Sequence, residues 1–343
     1  MARRQLLNVS CASTTLVWRH VIDFLLARNG IADYSASGLG WTLHDSSFAV
    51  NIDAPAVGDW VVVTSAGEDG KQRLALQLVF STLANSIIMC RSGVGWNAST
   101  NAWSGSYPST NQAGGPIAGS AFTVWIFGTL DAINIIIGNG TTNYLRHYGL
   151  ADQTMYSQEV MSASGSLTYG TGRVVTVDAV VSGAAVGMSV IVRDGVSCEK
   201  TQISAISGNN LTMDLANSYS AGASLSLDYS TIMACGIQAF SASVYSQIGR
   251  DGSVGGTQAT LLSRPNDNLL GDCDPDGLNS DILAEHIAMT DSSAGGYHGV
   301  VRDVLHGSET GLASGIEYTD RITGSTWRAL LCYSGKMYLF RQV

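Results

Sequence analysis

The chain has 343 residues, enough for two or three separate cores, yet only 13% of them are charged against 45% hydrophobic, and its formal net charge is −9. That balance excludes a nucleic-acid groove, which needs clustered Lys and Arg to displace counterions, and Arg3-Arg4 is too short a basic run to supply one. No apolar stretch approaches the ~20 residues of a membrane helix, and the start MARRQLLNVSCAS breaks its apolar run at Asn8, Ser10 and Cys11, so neither membrane insertion nor a secretory leader is expected.

Ser13 to Gly30 is the one long segment with helical spacing. Leu16, Val17, Val21, Phe24, Leu25 and the stem of Arg28 line one face, while Arg19, Asp23 and Asn29 turn away. Ser13 or Thr14 caps its start, and Asn29-Gly30 supplies the left-handed stop. A sheet laid against this rod makes the fold α+β and mostly β: an N-terminal helix packed on an antiparallel sheet.

DWVVVTS (59–65), QRLALQLVF (72–80) and NSIIMCRS (85–92) then read as a meander, with GEDG as a hairpin turn. In the second of these, Leu74, Leu76, Leu78 and Phe80 alternate with Ala75, Gln77 and Val79 as in a half-buried strand. The stretch 93–119 is too long and too rich in Gly, Ser, Asn and aromatics for a mere connector. FTVWIFG (122–128) and AINIIIG (132–138) form a central hairpin, with Trp125, Phe127, Ile133, Ile135 and Ile137 as the face toward the helix. TTNYLRHYGLAD (141–152) reads as a short helix or loop leaving the sheet.

Between 166 and 229 five short strands recur at short intervals, parted by Gly-Ala, Asp-Gly, Gly-Asn-Asn and Ala-Gly. This cadence predicts a small β-barrel or sandwich inserted into a discontinuous main domain, 1–165 plus 230–343, and projecting from it. IMACGIQAFSASVY is strand or buried helix, and DILAEHIAM (281–289) a short helix. WRALLCY and KMYLFR close the chain as a hairpin that returns to the first sheet, burying Trp327, Leu330, Tyr338 and Phe340.

Few residues point to chemistry. Asp272, Asp274 and Asp276, in Asp-Cys-Asp-Pro-Asp-Gly, have the alternation of a Ca²⁺ loop, but the twelfth position is Leu283 where a bidentate Glu is required; an acidic turn with Asx hydrogen bonds is the alternative. The six histidines show no zinc spacing, no serine sits in GxSxG, and neither phosphate-binding fingerprint is present. The six cysteines form no CxxC pair and read as reduced, buried thiols. No catalytic residue and no cofactor is expected. Trp96, Trp103 and Tyr107 in the long loop either plug it onto its own domain, contact a protein partner or stack on sugar.

Trp96-Asn97, the apolar run Ile133 to Ile137, Thr141-Thr142-Asn143-Tyr144 through Tyr148-Gly149, and the Trp327 to Arg341 hairpin together resemble a family of bacteriophage virion structural proteins. ISAISGNNLTMDLANSYSAGASLSLDY is similar to small β-modules of phage tail, neck and head-surface proteins. The resemblance implies a non-enzymatic virion component of the neck, collar or tail, made in the host cytoplasm and repeated by symmetry among copies of itself and other virion proteins. A host-receptor or glycan-binding protein using Trp96, Trp103 or Tyr107, and a capsid decoration protein, are the rival expectations.

Overall fold

The structure is a computed structural model that describes residues 5–48, 52–68, 74–80, 88–92, 96–97, 99–103, 121–140, 143–150, 156–228, 232–238, 241–247, 259–261, 284–291, 297–307, 312–320, 323–332 and 336–342. In chain order its elements are β1 (Gln5–Cys11), α1 (Thr14–Leu25), β2 (Thr42–Ser46), β3 (Trp60–Ser65), β4 (Leu74–Phe80), β5 (Ile88–Ser92), β6 (Trp96–Asn97) and β7 (Ala102–Trp103). There follow β8 (Phe122–Gly128), β9 (Ala132–Gly138), β10 (Asn143–Leu150), β11 (Tyr156–Ser162), β12 (Gly170–Thr176), β13 (Ser189–Arg193), β14 (Cys198–Ser207), β15 (Asn210–Leu215) and β16 (Ser224–Asp228). The last are β17 (Ile232–Gln238), β18 (Ser241–Gln247), β19 (Ala259–Leu261), β20 (Ala284–Asp291), β21 (Tyr297–Gly307), β22 (Glu317–Thr319), β23 (Thr326–Cys332) and β24 (Lys336–Arg341). The protein is mostly β, with four antiparallel sheets and, among the described residues, one helix.

The chain divides into two units, one of Met1–Asp152, Ile232–Gln247 and Gly256–Val343, the other of Gln153–Thr231 with Ile248–Gly255. In the first, a twelve-stranded sheet runs β1-β8-β9-β10-β17-β18-β19-β20-β21-β24-β23-β22, so strands from both ends of the chain share one sheet. β1 pairs with β8 from Gln5↔Gly128 to Cys11↔Phe122. β3-β4-β5 form the expected meander, to which β2 adds a fourth strand.

The helix starts where its cap predicts: the Ser13 hydroxyl accepts from the Leu16 N–H at 3.2 Å. It ends earlier than expected, at Leu25, and Ala27 rather than Asn29-Gly30 takes the left-handed conformation, at φ 50°. Burial is also wider than a single stripe. Val17, Trp18, Val21, Ile22, Phe24 and Leu25 are all fully enclosed, because the four-stranded sheet supplies Val61, Val63, Leu76 and Phe80 while the large sheet supplies Val124, Ile126 and Ile135. Trp18 meets Phe80 edge-on, with ring centroids 5.6 Å apart. Each such large side chain contributes about 1.5–3 kcal/mol of transfer free energy, so this core carries the unit's N-terminal half.

Several expectations need correction. On β8 it is Phe122, Val124 and Ile126 that face the helix, while Phe127 joins a second core and Trp125 packs beside it; the predicted phase is one residue off on this strand and right for Ile133, Ile135 and Ile137 on β9. The physical cause is a sheet apolar on both sides. Phe127, Ile136 and Leu145 meet Val301, Val304, Leu330, Cys332 and Phe340, as β21, β23 and β24 pack across the opposite face. Phe127 stacks on Phe340 with centroids 5.0 Å apart. Within the segment expected as a helix or exit loop, Asn143–Leu150 is strand β10, which pairs with β9 on one side and β17 on the other. Likewise, 284–289 lies in strand β20, and 232–238 and 241–247 are strands β17 and β18. β4 is buried at all seven positions, Gln77 included, and so is not half-buried. In the terminal hairpin Leu330 and Phe340 are enclosed, whereas Trp327 and Tyr338 are only partly covered.

In the second unit β11-β16-β13-β14-β15-β12 form a six-stranded antiparallel sheet around Met161, Val175, Val190, Leu211, Leu225 and Leu227. It holds the 166–229 stretch together with β11, which precedes it.

Candidate functional site

β6 and β7 form a two-stranded ribbon whose register opposes Trp96 to Trp103 and Asn97 to Ala102. Directly opposed positions of an antiparallel pair lie on the same face, with Cβ atoms about 4.5–5.5 Å apart. The tip residues Ser99, Thr100 and Asn101 are exposed, and Asn101 closes the turn at φ 50°. Two of the three aromatic candidates are thereby brought together. Tyr107 lies outside the described residues, as do Asp272, Asp274 and Asp276.

Polar side chains buried in the first unit form three groups that the sequence reading did not assemble. The first is at the end of α1. Asp23 was expected to face away, yet it is fully buried, because its carboxylate accepts from the Ile31 N–H at 2.7 Å and from the Arg28 guanidinium, which also donates to Asp53. A Cβ on Gly30 would lie 2.1 Å from the Asp23 carboxylate, so glycine serves here as clearance over that carboxylate and not as the helix stop. Beside it His20 Nδ1 and the Tyr34 hydroxyl lie 2.6 Å apart. Burial lowers the His20 pKa against the pull of Asp23, and burial with the nearby Asp23 and Cys11 pushes Tyr34 up to about 12.

The second group is the β8–β9 turn. The Trp41 indole donates to the Thr129 carbonyl at 3.2 Å and the Ser65 hydroxyl to the Leu130 carbonyl at 2.6 Å. One Asp131 carboxylate oxygen accepts from the Glu68 N–H at 2.9 Å, the other from Arg302 at 2.5 Å. The Asp131 carbonyl accepts from Leu150 N–H at 2.9 Å, where Gly149, at φ 140°, leaves room that any Cβ would fill. Three residues thus tie the meander, the post-helix loop, β10 and β21 together. A spent set of bonds like this clamps a fold and leaves little to react.

The third is on the face of the sheet shared with Phe127. His147 Nδ1 lies 2.9 Å from Asn134 Oδ1 on the adjacent strand, which places the neutral ring's proton on Nδ1. Both residues are buried, and Nε2 has no partner among the described residues. Burial, helped by the charge of Arg302, holds the His147 pKa down at about 3.

The described thiols Cys11, Cys198 and Cys332 are free; burial raises Cys11 to about 11 and Cys332 to about 12, the opposite of what an activated nucleophile needs. The second unit carries apolar side chains on rigid turns. At the β13–β14 tip Asp194 accepts from Val196, Ser197 and Ser220 N–H groups at 2.7 to 3.0 Å, which holds its pKa low and presents Val196 at 95% exposure. Tyr169 and Val174 are also exposed, and the Arg173 guanidinium donates twice to the Tyr169 carbonyl. No protein-family model matches this chain, and no curated protein matches it.

Proposed function

We propose that the chain is a non-enzymatic structural component of a bacteriophage particle, placed at the neck, collar or tail and held among neighbouring subunits by apolar and aromatic surface. The observation that carries the reading is the exposed set Val160, Tyr169, Val174, Val186 and Val196 in the second unit, on a chain with few charges. Apolar side chains presented on hydrogen-bonded strands and turns lose little conformational entropy when a partner covers them. A contact of ~800 Å² per partner, repeated around a symmetric ring, then gains avidity from repetition. The second unit is read as a small closed barrel. Support comes from the Ala163↔Val177 bridge, which joins the ends of its two outermost strands, β11 and β12.

Light scattering behind size-exclusion chromatography is expected to report an oligomer, and gold-labelled antibody to decorate purified particles. A dispersed monomer that is absent from particles refutes the proposal. Replacing Tyr169 and Val196 by Ser is expected to lower incorporation without changing the melting temperature.

A further inference from the structure

The outermost strand of a sheet presents unpaired backbone N–H and C=O groups, and folded proteins shorten, bend, charge or cover such an edge. Every other outermost strand described in this chain carries one of those devices. β2 is bulged between Leu43 and Asp45 and bears that carboxylate, β22 is three residues long and holds Glu317, β5 holds Arg91, β6 and β7 have two residues each, and the outermost strands of the second unit are joined by the Ala163↔Val177 bridge. β1 carries none. It is the first strand of the twelve-stranded sheet, it pairs with β8 over seven residues without a register shift, and QLLNVSC contains neither charge nor proline. Among the described residues, only β8 hydrogen-bonds to its backbone. We propose that β1 is an interface strand whose occupant is β1 of a second copy of this chain, added antiparallel about a twofold axis through Asn8, so that the large sheet continues from one copy into the other.

The occupant follows from the strand itself. Leu7 and Cys11 are buried and Val9 half-buried against the helix-side core, whereas Asn8 and Ser10 are exposed. An added antiparallel strand continues both faces only in a register that keeps this alternation, since a slip of one residue reverses every side chain. Setting Asn8 opposite Asn8 of the second copy does so. Each Leu7 then stands opposite Val9 of the second copy on the core side and extends its burial, while the two Asn8 amides meet on the other face, where each donates to the other's carbonyl. A twofold sets a strand against its own sequence, so charge near the axis would repel itself; Leu7 to Cys11 has none. A charged peptide from another protein would find no counter-charge there. The exposed apolar set of the proposed function lies in the second unit, so this contact is separate from it and does not depend on it.

The full chain is run on size-exclusion chromatography with light scattering over a concentration series, as wild type, Asn8→Lys, Asn8→Asp and an equal mixture of the two variants, each checked for native circular dichroism. Association is expected to weaken at least about tenfold in either variant, where like charges meet at the axis, and to recover in the mixture, where the charges are opposite. Independently, Asn8→Cys in a Cys198→Ser background is oxidised beside Ser10→Cys in the same background. Peptide mass spectrometry is expected to find a disulfide joining position 8 of two chains, because opposed positions lie within its reach, and none joining position 10, whose two copies stand about 13 Å apart along the strands. A monomeric wild type overturns the proposal. So does association that survives both charged variants or stays lost in their mixture, and so does crosslinking at position 10 as readily as at position 8. Association kept by the Asn8 variants but lost on replacing Tyr169 and Val196 leaves the virion reading standing and removes this one.

Discussion

Acid is expected to destabilise the first unit through His147. Its folded pKa of about 3 lies well below the 6.5 of a free imidazole, because the ring is enclosed between strands and faces the charge of Arg302. The sign follows from proton counting. As pH falls below about 6.5 the unfolded chain binds a proton that the folded chain refuses, so stability present at neutral pH is lost progressively down to about pH 3. With those two pKa values, moving from about pH 7 to about pH 5 removes roughly 2 kcal/mol. For a unit of this size that is a fall of about 4–8 °C in melting temperature. His147→Gln keeps a group able to bond Asn134 but cannot titrate. Its neutral-pH stability is expected to drop by about 1–3 kcal/mol for imperfect packing and bonding. Urea denaturation of both proteins across this pH range separates the effects: the wild-type curve is expected to be steeper by about 2 kcal/mol. Parallel pH dependences for the two proteins would refute the assignment of a buried neutral imidazole.

Phe340→Ala removes one ring of the stack with Phe127 and opens a cavity between the facing strands; a loss of about 3–5 kcal/mol is expected in chemical denaturation, and a loss below about 1 kcal/mol would contradict the second core. Replacing residues 153–230 by a short Asn-Gly turn is expected to leave a folded first unit, since Leu150 and Ile232 already oppose each other where β10 meets β17. Loss of cooperative unfolding in that shortened chain would show that the inserted segment is part of the fold. Iodoacetamide under native conditions is expected to modify Cys198 well before Cys11 or Cys332, read by peptide mass spectrometry, because only Cys198 of these three is exposed.

Where local physics decides, the residues were readable in advance. Ser13 has no better use than to cap the turn that follows it, and the runs at 59–65, 122–128 and 132–138 are too β-branched and too short to be anything but strands. Where two apolar surfaces compete for one strand, the pattern carries no label. FTVWIFG has large side chains in both phases, so its assignment waits for Phe340 to occupy one side and α1 the other. NYLRHYGL looks amphipathic enough for a helix because Arg146 and His147 are polar. It becomes a strand because β9 and β17 offer backbone partners on both edges and Asn134 pairs with the imidazole Nδ1.

The aromatic candidates divide the same way. Trp96 and Trp103 stand out in the sequence as aromatics in an uncharged stretch, whereas the pairing of Trp96 with Trp103 is a property of the ribbon. Composition and patterning by themselves determined a β-rich chain with one amphipathic helix, little charge and apolar surface to cover. Tertiary structure decided which face of each strand is inside, why Asp23 is buried and how three turn residues bind the first unit together. The reason is that local preferences act over a few residues, while burial and hydrogen-bond satisfaction are settled by partners far away along the chain.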